Sequence, residues 1–202
     1  MTKETCIRAA NWLKENFEAQ IKERIAGTPY DVDLVCAIAL QETAIKWIYW
    51  IDNYPPEIIL QRCVFDASGD YPGTVRFAFP KNKTAFQQVY GAKITDDLIA
   101  EGNKQRAMPQ HDAPKGYSAA DYLYKGYGIF QYDLQHIKTD AEFFLFKQWY
   151  NFSDCMQRLV DELNAKAGIN DNLHNIVKAY NGSGKAAEDY ANNVMMFKEW
   201  VS

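Results

Sequence analysis

Between Asp31 and Ala44 the chain reads Asp-Val-Asp-Leu-Val-Cys-Ala-Ile-Ala-Leu-Gln-Glu-Thr-Ala, a stretch with almost no polar face. Asp31 suits a helix N-cap, since its side-chain oxygen can accept from the open amides of the first turn. Val32, Leu34, Val35, Ile38, Ala39 and Leu40 then clothe the helix in apolar side chains, so it should be buried nearly all round. The rest of the chain has to be arranged around it. Glu42 rides in this setting beside Gln41 and Thr43. A glutamate late in a helix is usually solvated or salt-bridged, and deeply buried acids are rare. A carboxylate that does lose its water there has its pKa raised, which is what a general acid working near neutral pH needs.

The flanking patterns supply partners for that helix. Residues 4–26 place Cys6, Ala10, Leu13, Phe17, Ile21 and Ile25 at spacings of three and four, with Lys14, Glu15, Lys22 and Glu23 outside and Gly27 at the end. The central helix should run on through Trp47, Ile48 and Ile51 until Pro55-Pro56 forbids it. Core packing is expected for at least two of Trp47, Tyr49 and Trp50. Residues 58–65 fit a strand or a short helix equally. Residues 66–73 are dense in turn formers, and Val75, Phe77 and Phe79 alternate as a half-buried strand would. Helices are expected near 84–90, 139–148, 152–167 and 171–180, with a closing helix after Gly184; residues 100–120 read as an extended surface excursion. In the 152–167 helix Cys155, Leu159, Val160 and Leu163 make the inner face, and Tyr190, Val194 and Phe197 are core contacts of the closing one. The fold class is therefore mainly α (α+β): a helical body with a small β-hairpin or loop lobe facing it across a groove. No linker or repeat divides residues 1–202, which read as a single domain.

Hydrophobic residues at 48% and charged residues at 24% are ordinary for a globular chain. A net charge of −4 gives no basic stripe, which argues against a nucleic-acid partner. Cys6, Cys36, Cys63 and Cys155 show no tight spacing and read as reduced, buried thiols. The 3 histidines, at 111, 136 and 174, have no ligand spacing, so neither a metal nor another cofactor is expected. No apolar run has the length to span a bilayer, so membrane insertion is not expected.

Two later stretches bear on Glu42. Gly126-Tyr-Gly-Ile-Phe-Gln131 has two glycines one residue apart, which let backbone approach a ligand closely; Gln131 after them has the donor and acceptor that a sugar amide needs. Ala179-Tyr-Asn-Gly-Ser-Gly184 ends a helix. With Gln41-Glu42-Thr43 these resemble, in order, the three motifs of the lysozyme-like superfamily of lytic transglycosylases and goose-type lysozymes. Thr43 stands where that family usually has Ser, and Tyr127 and Phe130 are bulkier than its common residues. Pro56-Glu-Ile-Ile-Leu-Gln-Arg-Cys-Val-Phe65 resembles a segment that follows the catalytic glutamate in phage-type N-acetylmuramidases.

The resemblance implies an enzyme that cuts the β-1,4 bond between N-acetylmuramic acid and N-acetylglucosamine in peptidoglycan strands. Glu42 would be the general acid, the Tyr180 hydroxyl would orient it, and Gln131, Asn181, Tyr127 and Gly128 would hold substrate. An inverting hydrolase needs a second carboxylate about 6.5–9.5 Å away, for which Asp66, Asp70 and then Asp52 are candidates. A lytic transglycosylase needs none, because the substrate's own hydroxyl closes a 1,6-anhydro ring. The interval after Glu42 favours the hydrolase. A non-catalytic glycan-binding module of a phage or secretion particle, and a chitin- or chitosan-cutting enzyme, are the alternatives. Met1-Thr-Lys-Glu-Thr-Cys-Ile-Arg8 lacks a signal-peptide pattern. The expectation is a chain made in the cytoplasm that reaches the wall through a holin, a specialised secretion machine or lysis.

Overall fold

Caps written into the sequence set several helix starts. Thr2, Asp31, Asn82 and Asn172 each turn a side-chain oxygen onto an amide of the following turn, satisfying donors that a helix start leaves open. Pro56 occupies the first turn of another, where its missing N–H costs nothing. The computed structural model describes residues 1–67, 82–109, 122–170 and 172–202. Its fold is mainly helical with a small antiparallel sheet, as the sequence pattern predicts.

The described residues form two compact units, Met1–Ile48 with Phe152–Ser202, and Tyr49–Asn151. The second is inserted into the first, and an insertion needs no tandem linker, so composition does not betray it.

The first unit contains α1 (Lys3–Ile25), α2 (Val32–Ala39), a π-helical turn (Leu40–Ala44), α3 (Ile45–Trp47), α8 (Phe152–Ala167), α9 (Leu173–Asn181) and α10 (Gly184–Val201). The predicted inner faces are buried as expected: Cys6, Ala10, Leu13, Phe17, Ile21 and Ile25 on α1, and Leu34 to Ala39 without interruption on α2. α1 and α10 both pack on α2, α1 packs on α8, and α9 lies against α8 and α10. Trp12 meets Trp47 at 5.0 Å, and Phe17 stacks on Phe152 at 4.1 Å.

The second unit contains α4 (Pro56–Arg62), α5 (Lys83–Tyr90), α6 (Ala92–Asn103), α7 (Ala141–Leu145) and strands β1 (Val64–Phe65), β2 (Gly126–Tyr127) and β3 (Tyr132–Asp133). Residues 58–65 thus hold both options, helix then strand. The sheet order is β1-β2-β3, antiparallel, with Val64 opposite Tyr127 and Tyr127 opposite Tyr132. Trp50 is fully buried while Tyr49 is 53% exposed.

The expected surface excursion at 100–120 is overturned where it is described. α6 runs to Asn103, a 3-10 turn follows over Lys104–Ala107, and Glu101, Gln105 and Met108 are buried. Its polar letters mislead because the buried Glu101 is met by a cation at the surface, Lys104 Nζ donating to both its oxygens at 2.7 Å. The expected strand through Val75, Phe77 and Phe79 lies outside the described residues, as do Asp70 and His111.

Candidate functional site

The sequence predicts one continuous helix through Glu42, but the chain widens there into the π-turn Leu40–Ala44. A π-turn adds about one residue to the helical circuit, so side chains beyond it are rotated by about 100° from their α-helical places. Thr43 pins the widened turn: fully buried, its hydroxyl accepts from Trp47 Nε1 at 2.9 Å and donates to the Ala39 carbonyl at 3.5 Å. Leu40, Thr43 and Ala44 stay inside, while Gln41 and Glu42 keep part of their surface open to solvent.

The Glu42 carboxyl is held from α10. The Tyr190 hydroxyl donates to Glu42 Oε1 at 2.5 Å. Tyr190 itself is 7% exposed, and the Tyr180 ring of α9 lies 6.2 Å from it. Burial pushes the Glu42 carboxyl up to about 7; the Tyr190 bond works against that shift and the negative charge of Glu162 on α8 adds to it. Burial also lifts both phenols well above the ordinary range, with the Glu42 charge reinforcing it. They therefore stay protonated, and the Tyr190 hydroxyl keeps the hydrogen it donates to Oε1. The site thus presents a carboxylic acid that is half neutral near pH 7, oriented by a fixed hydroxyl and partly open to solvent.

Of the residues expected at the site, Glu42 and Tyr180 meet in this cluster. Asn181, next to Tyr180, is exposed at the end of α9. An orienting hydrogen bond to Glu42 comes from Tyr190, which the hydrophobic pattern ranks only as a core contact. A signal was present: a tyrosine on an inward face must find a partner for its hydroxyl, and Glu42 lies in the one helix clothed all round. Glu162 was missed for a similar reason. It follows the buried Cys155 and Leu159 at helical spacing on the inner stripe of α8, but acids on an α-helix are read by default as solvated.

The other expected residues belong to the second unit. Asp66 is exposed, with φ 60°, and its carbonyl accepts from Lys125 N at 2.9 Å. Asp52 is exposed in a turn. Tyr127 is a correction: only 1% exposed, its ring packs edge-on against Phe144 and Trp149, so it offers no face to a sugar. Gln131 is another. Its amide donates to the Gly128 carbonyl at 2.7 Å and to the Cys63 carbonyl at 3.5 Å, closing the β2–β3 turn instead of standing open. The glycines serve that turn. Gly128 has φ 78°, and a Cβ on Gly126 would stand 2.2 Å from Gln131 Oε1.

The second unit also holds a buried acid. Glu101, 4% exposed, accepts from Lys104 at 2.7 Å and from Lys147 and Tyr150 at 2.5 Å each. These bonds outweigh its desolvation and hold the carboxyl below the ordinary range. Although Glu101 borders a cavity of about 150 Å³ with Leu98, Phe144 and Trp149, it is an ion-pair hub with no proton to give near neutral pH. Among the described residues, no three His, Cys, Asp or Glu side chains gather as a metal site would require, and all four cysteines are buried free thiols. No helix of the described residues is long and apolar enough to cross a membrane. No protein-family model matches the chain, and comparison with the curated proteins and with the solved structures finds no match.

Proposed function

We propose that the chain is a glycoside-cleaving enzyme with Glu42 as its general acid, acting on the β-1,4 bond between N-acetylmuramic acid and N-acetylglucosamine in peptidoglycan. The observation that carries this reading is a desolvated, hydroxyl-oriented carboxyl that keeps its proton up to about pH 7 on a partly open π-turn. The choice of polymer rests on the resemblance of Gln41-Glu42-Thr43, Gly128-Ile-Phe-Gln131 and Ala179-Tyr-Asn181 to lysozyme-like motifs.

Tyr190 donates to Oε1, which leaves the acidic proton to Oε2. That proton passes to the glycosidic oxygen as its bond to the anomeric carbon breaks, and the sugar ring takes up positive charge. Glu42 becomes a carboxylate at that moment, and the Tyr190 bond to it strengthens because its acceptor is now charged. Water then adds to the anomeric carbon and yields its proton to a second carboxylate.

Glu42→Gln keeps the shape and removes the transferable proton. In a zymogram with purified cell walls it is expected to lose about a hundredfold or more of the wild-type clearing. More than about a tenth of wild-type activity in that variant would end the assignment. Mass spectrometry of the digest is expected to show reducing muramic ends. Products lighter by one water would make the enzyme a lytic transglycosylase, and wild-type protein that binds walls without releasing fragments would be a glycan-binding module.

A further inference from the structure

The cavity of about 150 Å³ beside the Glu101 hub has two different ends. Its inner wall is apolar and closed: Leu98 of α6, Phe144 of α7 and Trp149 border it and are 3%, 1% and 0% exposed. Its mouth is charged, because Asp97, Glu101 and Lys147 also border it, and Asp97 and Lys147 reach solvent. A void of about this volume with leucine and phenylalanine walls takes a benzene-sized body, and aromatic walls favour an aromatic guest. The charges at the mouth do not cancel. Lys93 pairs with Asp97 at 2.8 Å and neutralises it. Glu101 is met by both Lys104 and Lys147, two cations for one anion. Lys147 Nζ has three hydrogens and gives one to Glu101 Oε1. Its backbone is strained, held in the left-handed region at φ 57° and ψ 39° where the 3-10 turn Gln148–Tyr150 begins. A lysine takes that conformation against its own preference, and such strain gathers where a side chain is held for a task.

We propose that this cavity binds a small organic monocarboxylate with an apolar, ring-sized body. The body fills the space between Leu98, Phe144 and Trp149, and the carboxylate accepts hydrogen bonds from Lys147 at the mouth. An anionic head answers the unmatched cation with a charge-assisted bond. A cationic head would find Glu101 already taken by two ammonium groups and a phenol, and would add to the positive charge there. A neutral ligand would fill the apolar end and gain nothing from Lys147. All of these residues belong to the second unit, so the binding stands whether or not Glu42 is a general acid.

The test titrates the full chain separately with benzoate, benzamide and benzylammonium, three probes that share a ring and differ in charge. The Trp149 indole N–H is followed by nitrogen–proton NMR, its signal assigned by its loss in Trp149→Phe. Benzoate is expected to shift that signal saturably. Benzamide should bind about tenfold or more weakly, as the loss of one hydrogen bond between charged groups implies, and benzylammonium more weakly still. Lys147→Gln should bring benzoate down to the level of benzamide, and Lys147→Arg should keep it near wild type. A Trp149 signal that stays still at millimolar benzoate overturns the proposal. So does benzamide or benzylammonium binding as tightly as benzoate, a comparison made on the wild type that needs no variant to fold. Benzoate binding at wild-type strength in folded Lys147→Gln overturns it as well.

Discussion

Each unit buries a glutamate, and the two have opposite fates. Glu42 in the first and Glu101 in the second are both driven toward neutrality by lost hydration. Glu101 is answered by two ammonium groups and a phenol, and ends below the ordinary carboxylate range. Glu42 is answered by one phenol and opposed by another carboxylate, and ends near 7. Burial alone therefore does not make a chemical acid; the charge of the neighbours decides whether a desolvated carboxyl holds a loop or holds a proton.

Stability against pH separates the two most sharply. Folded Glu42 binds more protons than the unfolded chain between 4.5 and about 7, so wild-type stability falls as pH rises through that window and stays reduced above it. Glutamine cannot ionise and escapes this. Glu42→Gln is expected to melt higher than wild type at pH 8, by as much as about 3 kcal/mol of stability, with the gap closing toward pH 4. A variant that melts lower at pH 8 would mean an ionised, compensated Glu42 and would erase the contrast.

Glu101→Gln should behave in the opposite sense. Its lowered folded pKa contributes stability that is full above the ordinary 4.5 and fades as pH falls through the folded value. The variant is expected to melt lower than wild type at neutral pH, the difference vanishing on acidification. Because Lys104 and Lys147 are 41% and 43% exposed and can turn to water, the loss should be only about 1–2 kcal/mol. Equal melting at pH 7 would show that the hub contributes nothing.

The smallest effect sharpens the Glu42 side. Tyr190→Phe removes a bond that favours the Glu42 anion, so the alkaline limb of the pH–rate profile should move up. The fold should lose about 1 kcal/mol. A limb that stays in place would reduce Tyr190 to a core ring.

The helical frame was legible because apolar spacing and capping residues speak directly about local geometry. Cys6 to Ile25, Asp31 and Asn172 all act as their letters imply. Of the cluster, Glu42 and Tyr180 were legible, because both lie in short motifs. Tyr190 and Glu162 were hidden because a period-3.6 reading records which way a residue points and not what it meets there. The π-turn was invisible too, since Leu40 to Ala44 suits an α-helix and the widening is settled by how Thr43 and Trp47 pack. At Tyr127 and Gln131 the motif letters were in place, but packing and turn closure claim their side chains.

The insertion of the second unit into the first has a consequence for biosynthesis. Glu42 is translated early, yet the hydroxyl that holds it arrives 148 residues later. At about 5–20 residues per second, that is a wait of roughly 7–30 seconds. During that wait the nascent glutamate lacks Glu162, Tyr180 and Tyr190 alike, and has the solution chemistry of any other glutamate. The ion-pair hub, by contrast, closes within 49 residues, and its unit, 49–151, is a continuous stretch of chain. On the ribosome the inserted unit can consolidate first, and the acid acquires its unusual proton affinity only once α10 docks.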